Sequence, residues 1–265
     1  MGGASAMTCT HSSIVYGPVV SRRLGRSLGV NILPLDGKVC SFDCLYCECG
    51  LNPKGGRRLF LPSRQEIREA LREALLHLTA PVEVITFAGN GEPTLHPHFA
   101  DIIADTLSLR ETLAPGVRIA VLSNATMIHL PQIAGALSRV DDCILKLDSA
   151  LAERVRQINN PRSGYITPSR LLPYFRKLSG KAVIQTLFLK GSYKGVRVDN
   201  TAAEEIEAWI EFLLKIEPMG VMVYTLDRQT PVEGLEAVSE EELEGIGRRV
   251  TEAGLRLWEN RKAEP

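Results

Sequence analysis

Short apolar runs recur along the chain and alternate with segments of helical periodicity. The runs are rich in β-branched residues and nearly continuous, which is typical of strands buried on both faces of a parallel sheet. They occupy residues 30–34, 82–89, 117–124, 142–150, 181–190 and 221–228. Strand–helix repetition predicts right-handed crossovers and an α/β fold. Six strands fit either a doubly wound sheet or an incomplete (β/α) barrel, and periodicity alone does not choose between them.

The helical segments carry start signals and apolar faces. Residues 63–78 open with Ser63 and place Glu66 three residues later, the pair that forms a capping box. Apolar residues of the segment 202–218 fall on one helical face. Further helical patterns cover residues 96–113, 129–140 and 168–180, and a closing helix and short strand are predicted for 239–254 and 255–260. We predict one domain, with an N-terminal extension (1–28) and a core (29–265).

Composition narrows the class of protein. Lys plus Arg equals Asp plus Glu, 31 each, so the whole chain is not a polycation, but residues 22–58 are locally basic. The basic residues there are Arg22, Arg23, Arg26, Lys38, Lys54, Arg57 and Arg58. They predict either a local anion-binding face or a solvated surface. There is no run of 18 apolar residues and no signal-peptide pattern, which predicts a cytoplasmic protein without a membrane span.

Four of the six cysteines lie within ten positions, spaced Cys40-x3-Cys44-x2-Cys47 with Cys49 two residues further on. In a reducing compartment, clustered cysteines bind metal or perform chemistry. Structural zinc usually takes four ligands in two distant pairs, and no second pair is present. Three thiolates on one loop suit a [4Fe–4S] cluster that leaves one iron without a protein ligand. Structural zinc remains the alternative, while Cys143, inside an apolar run, is predicted to be a buried hydrophobe.

The octapeptide from Cys40 to Cys47, CSFDCLYC, resembles the signature of the radical S-adenosylmethionine (AdoMet) superfamily. The resemblance implies a partial (β/α)6 barrel of the TIM type, in which the cysteine loop follows the first strand. It also implies one [4Fe–4S] cluster held by Cys40, Cys44 and Cys47, with AdoMet chelating the fourth iron. Tyr46 and Phe42 are expected to shield this cluster from water.

A second motif, residues 86–97, ends the second predicted strand, and the carboxyl ends of parallel barrel strands carry the active site. Its turn resembles the Gly-Gly-Glu-Pro motif of the same superfamily, with an asparagine between the glycines. The resemblance implies that backbone groups of this turn and the Glu92 carboxylate hold the amino group of AdoMet. The residues assigned to the cofactor here are Gly89, Asn90, Gly91 and Glu92.

Polar residues at the ends of later strands are weaker candidates. The resemblance implies that Ser123 and Asn124 contact AdoMet, with a plain turn as the alternative. Lys146 and Asp148 lie on one side of their strand, and either they contact AdoMet or they form a buried ion pair. The predicted substrate-side residues are Gln185, Lys190, Asp227 and Arg228.

Residues 16–34 and 224–231 resemble the bacterial branch grouped with wyosine-tRNA synthases. Those synthases hold a second cluster on upstream cysteines, whereas this chain has only Cys9 there, so the same reaction is not predicted. We expect an enzyme that takes an electron from ferredoxin or flavodoxin and cleaves AdoMet to a 5′-deoxyadenosyl radical, which abstracts hydrogen from a substrate.

The substrate classes in view are a modified nucleoside or tRNA and a small anionic metabolite. The basic segment 22–58 keeps RNA as a candidate partner, because phosphate contacts need only local charge. Two alternatives lack AdoMet chemistry: an Fe–S electron-transfer protein and a zinc-stabilised RNA-binding protein.

Overall fold

A mostly parallel sheet forms the centre of the computed structural model, which describes residues 11–21, 23–53 and 59–258. Its strands are β1 (Val15–Ser21), β2 (Gly25–Val30), β3 (Val84–Phe87), β4 (Arg118–Ser123), β5 (Asp142–Lys146), β6 (Ala182–Tyr193), β7 (Val196–Arg197), β8 (Gly220–Thr225) and β9 (Leu235–Ala237). Neighbours pair in the order β1-β2-β3-β4-β5-β6-β8, and every pair from β2 onward is parallel. The predicted α/β fold with six parallel strands is therefore confirmed.

Side chains from separate strands meet on one face of the sheet. The sheet is therefore curled, with this face on its concave side. A buried apolar cluster there joins the β1–β2 turn to five strands; its members are Leu24, Val84, Ala120, Ile144, Val183 and Met222. Within the described residues β8 pairs with β6 and not with β2, so the curled sheet stays open between these two edges. This is the geometry of a partial barrel, which decides between the two architectures that the periodicity allowed.

The helices are α1 (Arg64–Leu76), α2 (Phe99–Leu113), α3 (Pro131–Leu137), α4 (Ala152–Asn159), α5 (Pro168–Arg176), α6 (Ala203–Ile216) and α7 (Glu240–Glu252). The capping box predicted for Ser63 and Glu66 is present at the start of α1. The main core lies between helices and sheet, where Ile67 and Leu71 of α1 are almost fully buried. The burial of each such side chain stabilises the folded protein by about 1.5–3 kcal/mol. Within the described ranges no helix is long and apolar enough to cross a bilayer.

The first parallel strand lies earlier than the predicted 30–34. It ends at Val30, because Asn31 turns the chain: its side chain accepts from the Leu33 amide and donates to the Leu33 carbonyl, both at 3.2 Å. The domain boundary predicted at residue 28 falls inside β2, which pairs with β1 and β3. Three strands (β1, β7 and β9) and helix α4 were not predicted, and the predicted final strand is a single bridge at Leu257.

Candidate active site

The cysteine loop crosses the carboxyl end of the sheet and is tied to the turn after β3. The Val39 amide donates to the Asn90 carbonyl at 2.9 Å, and the Glu92 amide donates to the Val39 carbonyl at 3.0 Å. A Cβ at Gly91 would lie 1.9 Å from the Val39 carbonyl oxygen, and Gly91 has a φ of +130°. Only glycine allows so close an approach. The two sequence motifs are therefore joined through their backbones.

The three motif cysteines line a single cavity of about 220 Å³. Residues at or near the carboxyl ends of five parallel strands line it with them: Ala88 after β3, Leu122, Ser123 and Asn124 at the end of β4, Lys146 on β5, Gln185 on β6 and Tyr224 on β8. Arg23, Lys38, Phe42, Tyr46, Gly89, Gly91 and Glu92 complete the lining. Most residues predicted to contact the cluster or AdoMet are thus brought together around one space.

The thiols receive specific polar contacts. Cys40 Sγ accepts from the Phe42 amide at 3.4 Å and from Asn124 Nδ2 at 3.5 Å, and Cys44 Sγ accepts from Asn159 Nδ2 at 3.3 Å. Burial raises the pKa of Cys40, and burial also raises the pKa of Cys44 to about 11. A hydrogen bond from the Cys49 side chain, aided by the Lys38 ammonium, lowers the pKa of Cys47 to about 6 despite burial.

This donor set fits an iron–sulfur cluster. Such clusters take thiolates, and N–H donors to the sulfurs tune their potential. Nowhere in the described ranges do three or more His, Cys, Asp or Glu side chains surround a point where one metal ion could sit, whereas structural zinc takes four ligands. A cubane instead spreads its thiolates over separate irons. Cys49 Sγ lies 3.2 Å from the Gly89 carbonyl oxygen, and Cys49 does not line the cavity.

Lys38, which the sequence placed in a basic segment, is buried beneath the cysteine loop at 3 % exposure. Its Nζ donates to the Gly50 carbonyl at 2.7 Å and lies 3.7 Å from Asp43 Oδ1. Burial acts to lower the pKa of Lys38, but the negative charges of Cys47, Cys40 and Cys44 outweigh it and raise the pKa. Sequence reasoning did not select Lys38 as a site residue, although it lies two positions before Cys40.

Glu92 joins the turn after β3 to the end of β4. Its carboxylate accepts from the Thr94 amide and hydroxyl, from Ser123 Oγ at 2.8 Å and from the Asn124 amide at 2.6 Å. Asn124 Nδ2 in turn donates to Ser41 Oγ at 2.8 Å, which reaches the cysteine loop. Burial raises the pKa of Glu92, against the opposing effect of these hydrogen bonds. The predicted contacts of Glu92, Ser123 and Asn124 with AdoMet stay predictions.

Asn90 directs its side chain away from the cavity. Its Oδ1 accepts from the His11 amide at 2.8 Å, and its Nδ2 donates to the carbonyls of His11 and Pro34 at 2.9 and 2.8 Å. The Asn90 amide donates to Asn31 Oδ1 at 3.1 Å. The asparagine between the two motif glycines therefore fastens the segment before β1 to the turn, while Gly89 and Gly91 face the cavity.

Asp148 lies at the centre of a buried polar network. Its Oδ1 accepts from the Leu187 amide at 2.9 Å and lies 3.4 Å from Lys146 Nζ, which is the buried ion pair foreseen as an alternative. Its Oδ2 accepts from the Tyr46 hydroxyl and from Asn159 Nδ2 at 2.6 Å. Burial acts to lower the pKa of Lys146, but the charge of Asp148 leads several effects that together raise it. Contacts of this pair with AdoMet stay predictions.

The predicted substrate-side residues separate into two groups. Gln185 lines the cavity. Lys190, Asp227 and Arg228 do not appear among its lining residues. Lys190 pairs with Glu242 of α7, and Arg228 Nη1 lies 2.6 Å from Glu48 Oε2 on the cysteine loop.

Arg23 is the lining residue that sequence reasoning counted only as part of a basic segment. Its guanidinium lies over the Tyr224 ring, 4.2 Å from the ring centroid. Four other members of that segment and one cysteine lie outside the described residues: Arg22, Lys54, Arg57, Arg58 and Cys9.

The profile of the radical SAM superfamily matches residues 36–192, and the chain belongs to that superfamily. The match spans both sequence motifs and confirms the family membership that they predicted. Among curated relatives, the chain is 32% identical over 232 residues to a UPF0026 protein of Helicobacter pylori, covering 87% of this chain and 71% of that protein.

Solved structures share the fold. The chain matches Streptococcus suis SuiB bound to precursor peptide SuiA with a TM-score of 0.62 at 16% identity, over 89% of this chain and 48% of that one. The chain therefore spans about half the length of SuiB. It matches TYW1 with a lysine-pyruvate adduct bound with a TM-score of 0.59 at 12% identity, over 86% of this chain and 73% of that one. At these identities the likeness shows the partial-barrel fold alone.

Proposed function

We propose that this chain is an enzyme that binds one [4Fe–4S] cluster through Cys40, Cys44 and Cys47 and uses AdoMet to generate a radical. The observation that carries the proposal is the single cavity into which the three cysteines and the turn containing Glu92 both face. When bound together, the cluster and AdoMet supply a 5′-deoxyadenosyl radical that abstracts hydrogen from the substrate. The protein's contribution is binding, orientation and the exclusion of water.

The residues around the cavity suit these tasks. Phe42, Tyr46 and Cys44 are all less than a tenth exposed, which shields this part of the cysteine loop from water. The Lys38 ammonium beneath the loop offsets the negative charge of thiolates. Gly89 and Gly91 line the cavity, and both positions require glycine because a Cβ would collide with Asn31 or with the Val39 backbone.

The partners remain part of the proposal. We propose that a ferredoxin or flavodoxin supplies the electron, that the protein acts in the cytoplasm, and that the substrate is a small anionic metabolite or a modified nucleoside. RNA contact by residues 22–58 stays a prediction, because four of the seven basic residues lie outside the described ranges. Of the other three, Lys38 is buried beneath the cysteine loop.

The test is anaerobic reconstitution followed by iron and sulfide analysis, then incubation with dithionite and AdoMet. We expect about four irons per chain and formation of 5′-deoxyadenosine. Cys143→Ala is the matched control, since this thiol is fully buried in β5 and does not line the cavity. Cys143→Ala should keep its iron, whereas Cys44→Ala should lose it. Iron binding without any 5′-deoxyadenosine would indicate an electron-transfer protein, and stoichiometric zinc in place of iron would indicate a zinc module.

A further inference from the structure

Arg23 enters the cavity from the amino end of the sheet, opposite the loops that carry the two motifs. It lies in the turn between β1 and β2, yet it lines the same cavity as the cysteines. The next residue, Leu24, packs in the cluster on the concave face, and its carbonyl accepts from Arg118 Nη2 at 3.0 Å. The turn therefore closes the amino end of the barrel and holds Arg23 in place beneath the cavity.

The three cationic side chains that line the cavity differ in whether a carboxylate lies close to them. Lys38 and Lys146 each lie within 4 Å of an aspartate carboxylate, at 3.7 and 3.4 Å. The carboxylate of Glu92 accepts four hydrogen bonds from neighbouring residues. Arg23 makes no ion pair with any residue in the described ranges, and its charge is compensated only by the face of Tyr224. A guanidinium lining a cavity without a carboxylate partner is suited to an anionic ligand.

The Tyr224 ring fixes the guanidinium in a useful orientation. A guanidinium lying on an aromatic face is stabilised through that face, and its N–H groups, which lie in the guanidinium plane, stay available as donors. Those donors form a fork that matches the two oxygens of a carboxylate or phosphate. The ring itself is held, because its hydroxyl accepts from Lys146 Nζ at 2.9 Å. The ring beneath the Arg23 guanidinium is thus held in place before a ligand arrives.

We infer that Arg23 binds an anionic group of the substrate, a carboxylate or a phosphate, at the amino-end floor of the cavity. The inference rests on the proposed function, since the cavity must also serve the radical chemistry. It assigns the anion to Arg23 instead of Lys190 and Arg228, both of which already pair with glutamates away from the cavity.

The test uses cluster-loaded protein and two probes, inorganic phosphate and succinate, at matched ionic strength. Binding is measured by isothermal titration calorimetry for wild type, Arg23→Gln and Arg26→Gln. Arg26 is the matched control, because it follows the same turn but pairs with Glu83 and does not line the cavity. We expect Arg23→Gln to weaken binding of the preferred probe by roughly ten- to a hundredfold, the value of a charged hydrogen bond. Arg26→Gln should bind both probes with the affinity of wild type. The probe that wild type binds more tightly identifies the anion class.

AdoMet titration of the same variants separates substrate from cofactor. AdoMet affinity should be unchanged in Arg23→Gln; a loss there would assign Arg23 to the cofactor and overturn the inference. Two other results would also overturn it. One is that Arg23→Gln binds the probes with the same affinity as wild type, and the other is that wild type binds neither probe. If Arg23→Gln does not fold, Arg23→Lys provides the test instead. Lysine keeps the positive charge but lacks the paired N–H donors of the guanidinium, so Arg23→Lys should bind the preferred probe more weakly than Arg26→Lys does. Arg23-dependent binding in a chain that forms no 5′-deoxyadenosine would keep the anion site and overturn the proposed function alone.

Discussion

Asp148→Asn is the substitution for which the structure gives the sharpest expectation. The Asp148 side chain is fully buried and its Lys146 partner is 17% exposed, so the substitution leaves a largely buried ammonium without its counter-charge. The asparagine carbonyl can still accept from the Leu187 amide. Its Nδ2 must then face Asn159 Nδ2, which now lies 2.6 Å from a carboxylate oxygen. Two donors would oppose each other where a hydrogen bond now exists.

The magnitude follows from these two losses. Breaking a buried ion pair by removing one partner costs about 3–5 kcal/mol, and an unsatisfied buried donor costs about 1–3 kcal/mol. The two contributions share one site and do not add fully. The partial exposure of Lys146 favours the lower end. We expect the free energy of unfolding to fall by about 3 kcal/mol.

Urea denaturation of the cluster-free chain, followed by far-UV circular dichroism, measures this loss as a shift of midpoint at constant slope. Glu153→Gln is the control: it makes the same chemical change in an exposed ion pair with Arg156. Such pairs contribute about 0–1 kcal/mol. A loss below about 1 kcal/mol for Asp148→Asn, no larger than the control, would refute the reasoning. The double variant with Lys146→Met should recover part of the loss, because it removes the unpaired charge.

Three further predictions follow from other parts of the site and fold. Replacing any of the three motif cysteines with alanine should remove most of the iron from reconstituted protein, whereas Cys49→Ala should retain it; equal losses would contradict the assignment of three ligands. Glu92→Gln should weaken AdoMet affinity by roughly ten- to a hundredfold with iron unchanged, measured by titration with circular dichroism as the folding control. Arg64 and Arg68 hold the pKa of Asp105 low, chiefly through a hydrogen bond from Arg64. Because a lowered folded pKa contributes stability that is fully present above the unfolded value of about 3.9, Asp105→Asn should destabilise the protein by about 1 kcal/mol at pH 7. That difference should shrink as the pH falls below about 4 and vanish only below the lowered pKa of folded Asp105, and a pH-independent difference would contradict the electrostatic explanation.

Most of the parallel strands and the two motifs were predictable because their signals are local. A continuous apolar run shows where a buried strand lies, and β4 falls within the predicted 117–124. The cysteine spacing and the glycine-rich turn each occupy only a few consecutive positions. Because parallel strands carry the site at their carboxyl ends, strand order was enough to bring the two motifs to the same end of the sheet.

The partners of individual side chains could not be predicted in this way. Lys190 and Arg228 occupy strand-end positions that suited substrate binding, but their glutamate partners are 52 and 180 residues away in the chain. Arg23 was missed because it lies in the turn between β1 and β2, at the amino end of the sheet, whereas the candidate residues were sought at the carboxyl ends of the strands. Helix α4 was missed because most of its eight residues are polar, and only Val155 and Ile158 supply its buried apolar side chains.

The contacts of the cysteine loop join residues that are made at different times during synthesis. Asn159, which donates to Cys44, is 115 residues further along the chain. At typical translation rates of about 5–20 residues per second, roughly 6–23 s separate the appearance of the two residues. During that interval the thiols have been made, but the helix that covers them has not. If the proposed cluster is delivered to this chain after residue 159 has been made, the Asn159 side chain that donates to Cys44 is already present.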